Sequence, residues 1–349
     1  MRGLGVRHVA LRFNESLKLR ATCRKTGLGA RRTRPIRQTR RRADHLEGTA
    51  TVDQHVSDRI AAIDPARPVL IAGPTASGKS ELALRIAETQ GGVIVNADAI
   101  QVYSDWRILT ARPSLEDEAR APHALYGHVA GDKPYSVGDW LRDLVPLLNG
   151  GERPIIVGGT GLYFTALTEG LAQIPATPDD IRNEAMRRIE AEGHASLVAE
   201  LDAETRNRID TANPMRVQRA WEVLTSTGKG LAEWQDETDP PLLPLAQVTA
   251  CVVTADKDWL TPRIERRFDQ MLATGALDEA RANRPTWLPS LPSAKAIGAA
   301  ELMAVIDGTM SLDEARNRST VLTRQFAKRQ RTWFRARMRD WEQVDAREL

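Results

Sequence analysis

Short apolar runs alternate with amphipathic segments from residue 68 onward. Residues 69–72 form the first run, and further runs lie at 92–98, 154–160 and 248–253. Each run has the length of a buried strand, and the segments after the first and third runs place apolar residues at helical spacing. Wholly apolar strands are typical of parallel sheets that are covered on both faces. The pattern therefore predicts an α/β fold with a parallel sheet flanked by helices.

The second half of the chain is mainly helical in its periodicity. Charged, amphipathic segments separated by Pro or Gly predict helices at 181–192, 195–203, 215–226, 262–274, 294–305 and 312–341. The last would be about 45 Å long at 1.5 Å per residue. The first three suggest an inserted helical domain. We divide the chain into an N-terminal extension (1–64), the first part of a catalytic core (65–175), the helical insertion (176–244) and the second part of the core (245–349).

Positive charge is concentrated at the N-terminus. The formal net charge is +3, but residues 1–42 carry 14 Lys and Arg against one acid, Glu15, so that the rest of the chain carries a net −10. A basic stretch without apolar periodicity does not predict a folded unit. We expect residues 1–64 to be disordered or to reflect a start codon assigned too far upstream, with an RNA-binding arm or a targeting peptide as alternatives.

A loop that can bind phosphate groups follows the first predicted strand. It matches the pattern Gly-x-x-x-x-Gly-Lys-Ser with Gly73, Pro74, Thr75, Ala76, Ser77, Gly78, Lys79 and Ser80. Such loops turn backbone N–H groups toward an anion, the lysine reaches the terminal phosphates, and the serine hydroxyl is a ligand for Mg²⁺. We therefore predict a P-loop NTPase-like parallel sheet flanked by helices, with a diphosphate or polyphosphate site and Mg²⁺ on Ser80. A glycine-rich turn with an exposed lysine is the alternative.

Three further motifs make the pattern specific. They are Asn96-Ala-Asp98-Ala-Ile-Gln101-Val-Tyr103, Val157-Gly-Gly-Thr160-Gly-Leu-Tyr163-Phe and Thr323-Arg-Gln-Phe-Ala-Lys328-Arg329-Gln-Arg-Thr-Trp333-Phe-Arg335. With the loop, and in this order, they resemble the bacterial tRNA dimethylallyltransferases (tRNA isopentenyltransferases) over residues 68–337. The third strand ends in Gly-Gly-Thr where many NTPases place a metal-holding aspartate, which argues against a motor or switch ATPase.

The resemblance implies transfer of a dimethylallyl group from dimethylallyl diphosphate to the exocyclic N6 amine of adenosine 37 in tRNA, with release of pyrophosphate. It implies that Asp98 is the general base, that Thr160 contacts the substrate base, and that Lys79 and Arg267 meet the diphosphate. The chemistry agrees, because cations and N–H donors stabilise a leaving pyrophosphate and a carboxylate accepts the proton of a weak amine nucleophile. Asp98 as a cap or a ligand of Mg²⁺-bound water remains an alternative, as does Thr160 as a helix cap.

The resemblance also assigns tRNA contacts. They are Asp98, Ala99, Ile100, Gln101, Thr160, Arg182, Met215, Arg216, Val217, Gln218 and Arg219. We expect a flipped adenosine, since the base must leave its stack to reach an enclosed site. A basic stripe on the last helix is expected to follow the tRNA phosphates, a solvated helix face being the alternative. It consists of Arg316, Arg318, Arg324, Lys328, Arg329, Arg331, Arg335, Arg337 and Arg339.

Other features limit the setting. Only Cys23 and Cys251 are present, which suggests a reducing compartment without a disulfide or zinc framework, and no apolar run approaches the ~18 residues of a membrane span. We expect a cytoplasmic monomer with tRNA and dimethylallyl diphosphate as partners. His123 and His128 are expected in a loop. The alternatives are a small-molecule kinase, an isopentenyltransferase acting on free adenine nucleotide, and a non-catalytic RNA-binding protein.

Overall fold

The computed structural model describes residues 54–349. The expectations for residues 1–53 lie outside the described residues. Within the described part, six strands form one parallel sheet in the order β3-β2-β4-β1-β5-β6. The strands are β1 Val69–Ala72, β2 Val93–Asn96, β3 His123–Ala124, β4 Pro154–Gly158, β5 Thr249–Thr254 and β6 Glu342–Asp345. The predicted α/β fold with a parallel sheet is confirmed.

Helices connect the strands and cover both faces of the sheet. They are α1 (54–62), α2 Lys79–Gln90, α3 Leu115–Arg120, α4 Val137–Asn149, α5 Gly161–Glu169, α6 Asp179–Glu192, α7 Ala195–Glu200, α8 Ala203–Arg208, α9 Pro214–Thr227, α10 Leu231–Asp236, α11 Lys257–Ala273, α12 Ala276–Asn283, α13 Ala299–Ile306 and α14 Leu312–Arg337. Short 3₁₀ turns lie at Leu245–Gln247, Pro292–Lys295 and Ala346–Glu348. None of the helices within residues 54–349 is both apolar and long enough to span a membrane.

The central strands β2, β4, β1 and β5 are mostly apolar because each face of the sheet packs on helices. In β1, Leu70 contributes to one core with Trp140 of α4 and Phe164 of α5. Its neighbour Ile71 contributes to the opposite core with Leu82 of α2. Side chains alternate between the faces of a strand, so a strand buried on both sides carries few polar positions.

Three predictions about the elements are wrong. Residues 54–62 form α1 instead of continuing a disordered extension, and Val56 and Ile60, one helical turn apart, are buried against the sheet. The last helix ends at Arg337, and Glu342–Asp345 forms β6 beside β5. Residue 123 belongs to the edge strand β3. In each case few apolar residues mark the element, so the local pattern is too weak to indicate it.

The helices between β4 and β5 share an apolar cluster of their own. Ala185 of α6, Leu197 of α7, and Val217 and Trp221 of α9 are buried together. This is the local core that the amphipathic pattern predicts. The division of the chain at residues 175 and 244 stays a prediction.

The indole of Trp140 fixes the end of β2. Its Nε1–H donates a hydrogen bond of 2.7 Å to the carbonyl of Asn96, two residues before Asp98. Trp106 is equally buried, but its indole N–H makes no hydrogen bond within residues 54–349. The two tryptophans are therefore alike in burial and differ in the indole hydrogen bond, so that they can be compared by mutation.

We expect Trp140→Phe to lower the free energy of unfolding by about 2 kcal/mol more than Trp106→Phe, because only the first change leaves a buried carbonyl without its donor. Urea denaturation of both variants measures the difference. Equal losses would show that the Trp140 hydrogen bond does not hold the end of β2.

Candidate active site

The phosphate-loop motif forms the predicted strand–loop–helix arrangement. Ala76 and Gly78 have positive φ angles of 63° and 94°, and α2 begins at Lys79. Left-handed residues in such a loop turn successive N–H groups toward one point, which makes an anion-binding concavity. The Lys79 ammonium group lies over the loop and donates to the carbonyl of Pro74 at 3.3 Å. The local geometry thus suits a bound diphosphate.

Arg267 joins the loop from α11. Its guanidinium group donates to the Thr75 hydroxyl at 3.1 Å. Burial and, to a smaller extent, the charge of Arg267 lower the pKa of Lys79 to about 8, and the carboxylate of Asp98 opposes both effects. Burial also lowers the pKa of Arg267, and Asp98 again opposes the shift. The structure therefore brings the predicted residues Lys79, Arg267 and Asp98 into one electrostatic environment.

Asp98 lies just beyond β2, at the carboxyl end of the sheet. Its Oδ1 accepts a hydrogen bond from the Ile100 N–H at 3.0 Å. The alternative of Asp98 as a capping residue therefore holds for one of its two carboxylate oxygens. The other oxygen, Oδ2, lies on the side of Gly159, where an added Cβ would come within 3.3 Å of it. One carboxylate oxygen is thus fixed by the backbone, and the other is directed toward the loop after β4.

Thr160 supports the turn that carries Asp98. It occupies the position before α5, but its side chain makes no capping hydrogen bond. Instead its Oγ1 accepts from the Ala99 N–H at 2.9 Å. The alternative of a side-chain helix cap is therefore wrong, and Thr160 joins the ends of β2 and β4.

These two chain ends approach very closely. The Ala97 carbonyl accepts from the Thr160 N–H at 3.2 Å. A Cβ added to Gly158 would lie only 2.0 Å from the Ala97 oxygen. No larger residue fits at 158 without moving the backbone. The first glycine of the Val157-Gly-Gly-Thr160 motif is thus required by the distance between two strands.

Sequence reasoning missed Gln330, which joins the two halves of the site. This glutamine of α14 is 5 % exposed. Its Oε1 accepts from the Thr75 N–H and its Nε2 donates to the Gly159 carbonyl, each at 2.9 Å. Gln330 lies on the buried face of the helix with Ala327 and Phe334. A polar residue at an apolar position of the helical pattern was the signal available in the sequence.

Two tyrosines that carried no predicted role border Asp98. Burial raises the pKa of Tyr126 and Tyr163, and the charge of Asp98 raises both further. Tyr163 stacks on Trp140 with ring centroids 4.6 Å apart. The Asp98 side of the site is therefore aromatic, whereas the loop side is cationic.

The predicted tRNA contacts fall into different environments. Arg182, Met215 and Arg216 are exposed. Gln101 is internal to its loop, since its side-chain amide donates to the carbonyls of Thr110 and Ala111 at 2.8 and 3.0 Å.

The rest of the α9 segment is packed or bonded within the protein. The structure corrects the prediction that the Val217 side chain contacts tRNA. That side chain is fully buried in the helical cluster and supports α9 rather than facing solvent. Gln218 hydrogen bonds to Glu222, and Arg219 hydrogen bonds to Thr177.

The basic stripe on α14 is only partly available to a ligand. Arg316 pairs with Asp269, and Arg324 lies 3.7 Å from Glu265, both acids of α11. These two arginines hold α14 against α11. Six of the nine predicted cations of the stripe are exposed to solvent and can meet phosphates, namely Arg318, Lys328, Arg329, Arg335, Arg337 and Arg339.

Comparisons with known proteins agree with the motifs. Residues 101–337 match the family model described as IPP transferase, and residues 67–123 match the one described as Isopentenyl transferase. The tRNA dimethylallyltransferase of Ruegeria sp. (strain TM1040) is 64% identical over 278 residues, which are 80% of this chain and 95% of that protein. That of Dinoroseobacter shibae is 62% identical over 288 residues, 82% and 97% of the two chains.

Solved structures give the same answer. The tRNA isopentenylpyrophosphate transferase of Bacillus halodurans superposes with a TM-score of 0.56 at 29% identity, over 80% of this chain and 90% of that one. A eukaryotic dimethylallyltransferase acting on tRNA gives a TM-score of 0.67 at 25% identity, over 80% and 73%. Motifs, fold and relatives agree, and the chain belongs to the tRNA dimethylallyltransferase family.

Proposed function

We propose that this enzyme transfers the dimethylallyl group to the N6 amine of adenosine 37 in tRNA, and that the two sides of its site divide the reaction between them. The observation that supports this division is the electrostatic coupling of Lys79 and Arg267 with Asp98. Cations on one side suit a diphosphate, and a carboxylate among tyrosines suits an amine. One substrate pair can therefore bridge the two sides.

The cationic side stabilises the leaving group. As the bond between C1 of the dimethylallyl group and its diphosphate oxygen breaks, the electron pair leaves with pyrophosphate. Loop N–H groups, Lys79 and Arg267 are preorganised donors for that developing charge. Because the site is partly closed to water, their interaction with it is stronger than it would be in solvent.

Mg²⁺ fits this side as an ion that arrives with the diphosphate. Residues 54–349 contain no group of three or more His, Cys, Asp or Glu able to hold a metal. The Ser80 hydroxyl, exposed at the start of α2, would be one oxygen ligand for the ion. Mg²⁺ commonly takes one or two protein ligands together with phosphate oxygens and waters. When bound it would supply further charge neutralisation at the diphosphate.

The carboxylate side activates the nucleophile. The N6 amine attacks C1, and the proton that N6 loses passes to Asp98. Thr160 holds the turn behind Asp98 through the Ala99 N–H, which keeps the carboxylate in place. A fixed base within hydrogen-bond reach of the amine lowers the barrier, because the neutral amine is a poor nucleophile.

The tRNA then approaches from the Asp98 side. The exposed Arg182 and Arg216 and the free part of the α14 stripe supply cations for its phosphates. The adenosine reaches Asp98 as a flipped base. We further propose a monomer in the cytoplasm, where its tRNA substrate is found.

Asp98→Asn tests the base directly. We expect transfer of label from dimethylallyl diphosphate into tRNA to fall at least about 100-fold, with the affinities for both substrates unchanged, since an amide cannot accept the amine proton. Asp132→Asn, an exposed acid paired with Lys133, is the matched control and should retain wild-type transfer. Near-normal transfer by Asp98→Asn would rule out the proposed base.

Gln330→Leu tests the link between the loop and the end of β4. We expect kcat/KM to fall about 100-fold, because the Thr75 N–H and the Gly159 carbonyl lose their partner and the two sides of the site shift apart. Gln325→Leu, at an exposed position of the same helix, is the control. If both variants retained the same activity, the bridge would have no part in positioning.

The pH dependence of substrate binding tests Lys79. With a pKa of about 8 in the free enzyme, this lysine loses its proton as the pH rises through that value. We expect the Kd of dimethylallyl diphosphate to rise above about pH 8, approaching tenfold per pH unit, because the neutral amine no longer attracts the diphosphate. Lys79→Arg, which stays protonated, should give a flat profile. A flat wild-type profile would contradict the assignment.

A further inference from the structure

Helix α11 separates its charges by sign. Arg263, Arg266 and Arg267 follow the i, i+3, i+4 spacing of one helix face. The acids Glu265 and Asp269 lie on another face, where they pair with Arg324 and Arg316 of α14. Two of the three acids of this helix are therefore engaged elsewhere, and the third, Asp258, lies in its first turn. None of the three forms an ion pair with the arginines of this described helix.

The arginine face of α11 borders a cavity of about 290 Å³ next to the phosphate loop. We call it the arginine vestibule. It is lined by Ala76, Gly78, Arg263, Arg266, Arg267 and Gln270, with no acid among them. Neither Lys79 nor Asp98 belongs to its lining, so the vestibule lies beside the space between those two residues. Arg267 belongs both to the vestibule and to the catalytic site, since it also donates to the Thr75 hydroxyl of the phosphate loop.

Contacts of Arg263 fix one side of the vestibule. The Arg263 Nε donates to the Ala76 carbonyl at 3.1 Å, and its guanidinium carbon lies 4.2 Å from the centre of the Trp259 ring. These contacts hold one cation against Ala76, the residue of the loop other than glycine that has a positive φ angle. Burial lowers the pKa of Arg263, and the nearby charge of Arg266 lowers it further. Two like charges held together without an acid favour the binding of an anion.

We propose that the arginine vestibule is an outer binding site for a diphosphate group, next to the catalytic loop and sharing Arg267 with it. This inference rests on the proposed function. Three guanidinium groups around one cavity match the several negative charges of a diphosphate, whereas a nucleic-acid backbone presents one charge per phosphate. Incoming dimethylallyl diphosphate and departing pyrophosphate share this chemistry. Both can pass through the vestibule while tRNA covers the Asp98 side.

Arg266→Gln tests the vestibule, because Arg266 is exposed and has no role in the catalytic machinery described above. We expect KM for dimethylallyl diphosphate and the inhibition constant of pyrophosphate each to rise about tenfold, as a steering charge is lost. The single-turnover rate at saturating substrate and the affinity for tRNA should stay within twofold of wild type. Arg266→Lys keeps the positive charge, so both KM and the inhibition constant should stay close to their wild-type values.

Lys257→Gln is the matched control, because it removes one positive charge from the same helix at an exposed position outside the vestibule. It should leave both constants unchanged. A rise in KM without weaker pyrophosphate inhibition would assign the vestibule to the incoming substrate. Weaker pyrophosphate inhibition with an unchanged KM would assign it to the product. Either result supports a diphosphate site.

Three results would overturn the inference. They are unchanged constants, a slower saturated rate with unchanged KM, and weaker tRNA binding with unchanged pyrophosphate inhibition. The last would assign the arginines to the nucleic acid. Failure of the proposed function gives a different result, since the wild-type protein would then not label tRNA at all.

Discussion

The close approach of β2 and β4 at their carboxyl ends is the constraint on which the site depends. Gly158 leaves room for the Ala97 carbonyl, and the Thr160 N–H then bonds to that oxygen. Only at this distance can the Thr160 hydroxyl reach Ala99 and hold the turn that carries Asp98. A side chain at 158 would separate the strands and move the carboxylate. The reactive group is therefore positioned by backbone packing.

The phosphate loop is tied to the same point from the other side. Gln330 spans from Thr75 to Gly159, so that a residue of α14 connects the loop after β1 with the loop after β4. A buried amide is stable there because both its donor and its acceptor are satisfied. The cations Lys79 and Arg267 and the carboxylate of Asp98 consequently belong to one arrangement, in which the charge of Asp98 partly offsets the effect of burial on both cations.

Much of this arrangement could be predicted from the sequence. The strands β1, β2, β4 and β5 each contain a run of buried apolar residues, and the phosphate loop has a fixed spacing, so the local pattern was sufficient. In contrast, β6 contains one apolar residue and β3 only two residues, and neither leaves a periodic signal.

The limits at the site have the same origin. Gln330 and Thr75 are 255 positions apart, and the pairs that bind Arg316 and Arg324 to α11 also join distant segments. Val217 was misassigned because a motif match does not state which side of a helix is buried.

The most direct measurement is a crystal structure with the thio analogue of dimethylallyl diphosphate and a tRNA anticodon stem–loop. Our account predicts the diphosphate on Lys79 and Arg267, and the Asp98 carboxylate about 3 Å from the N6 amine. A diphosphate bound elsewhere, or an Asp98 turned away from N6, would contradict it.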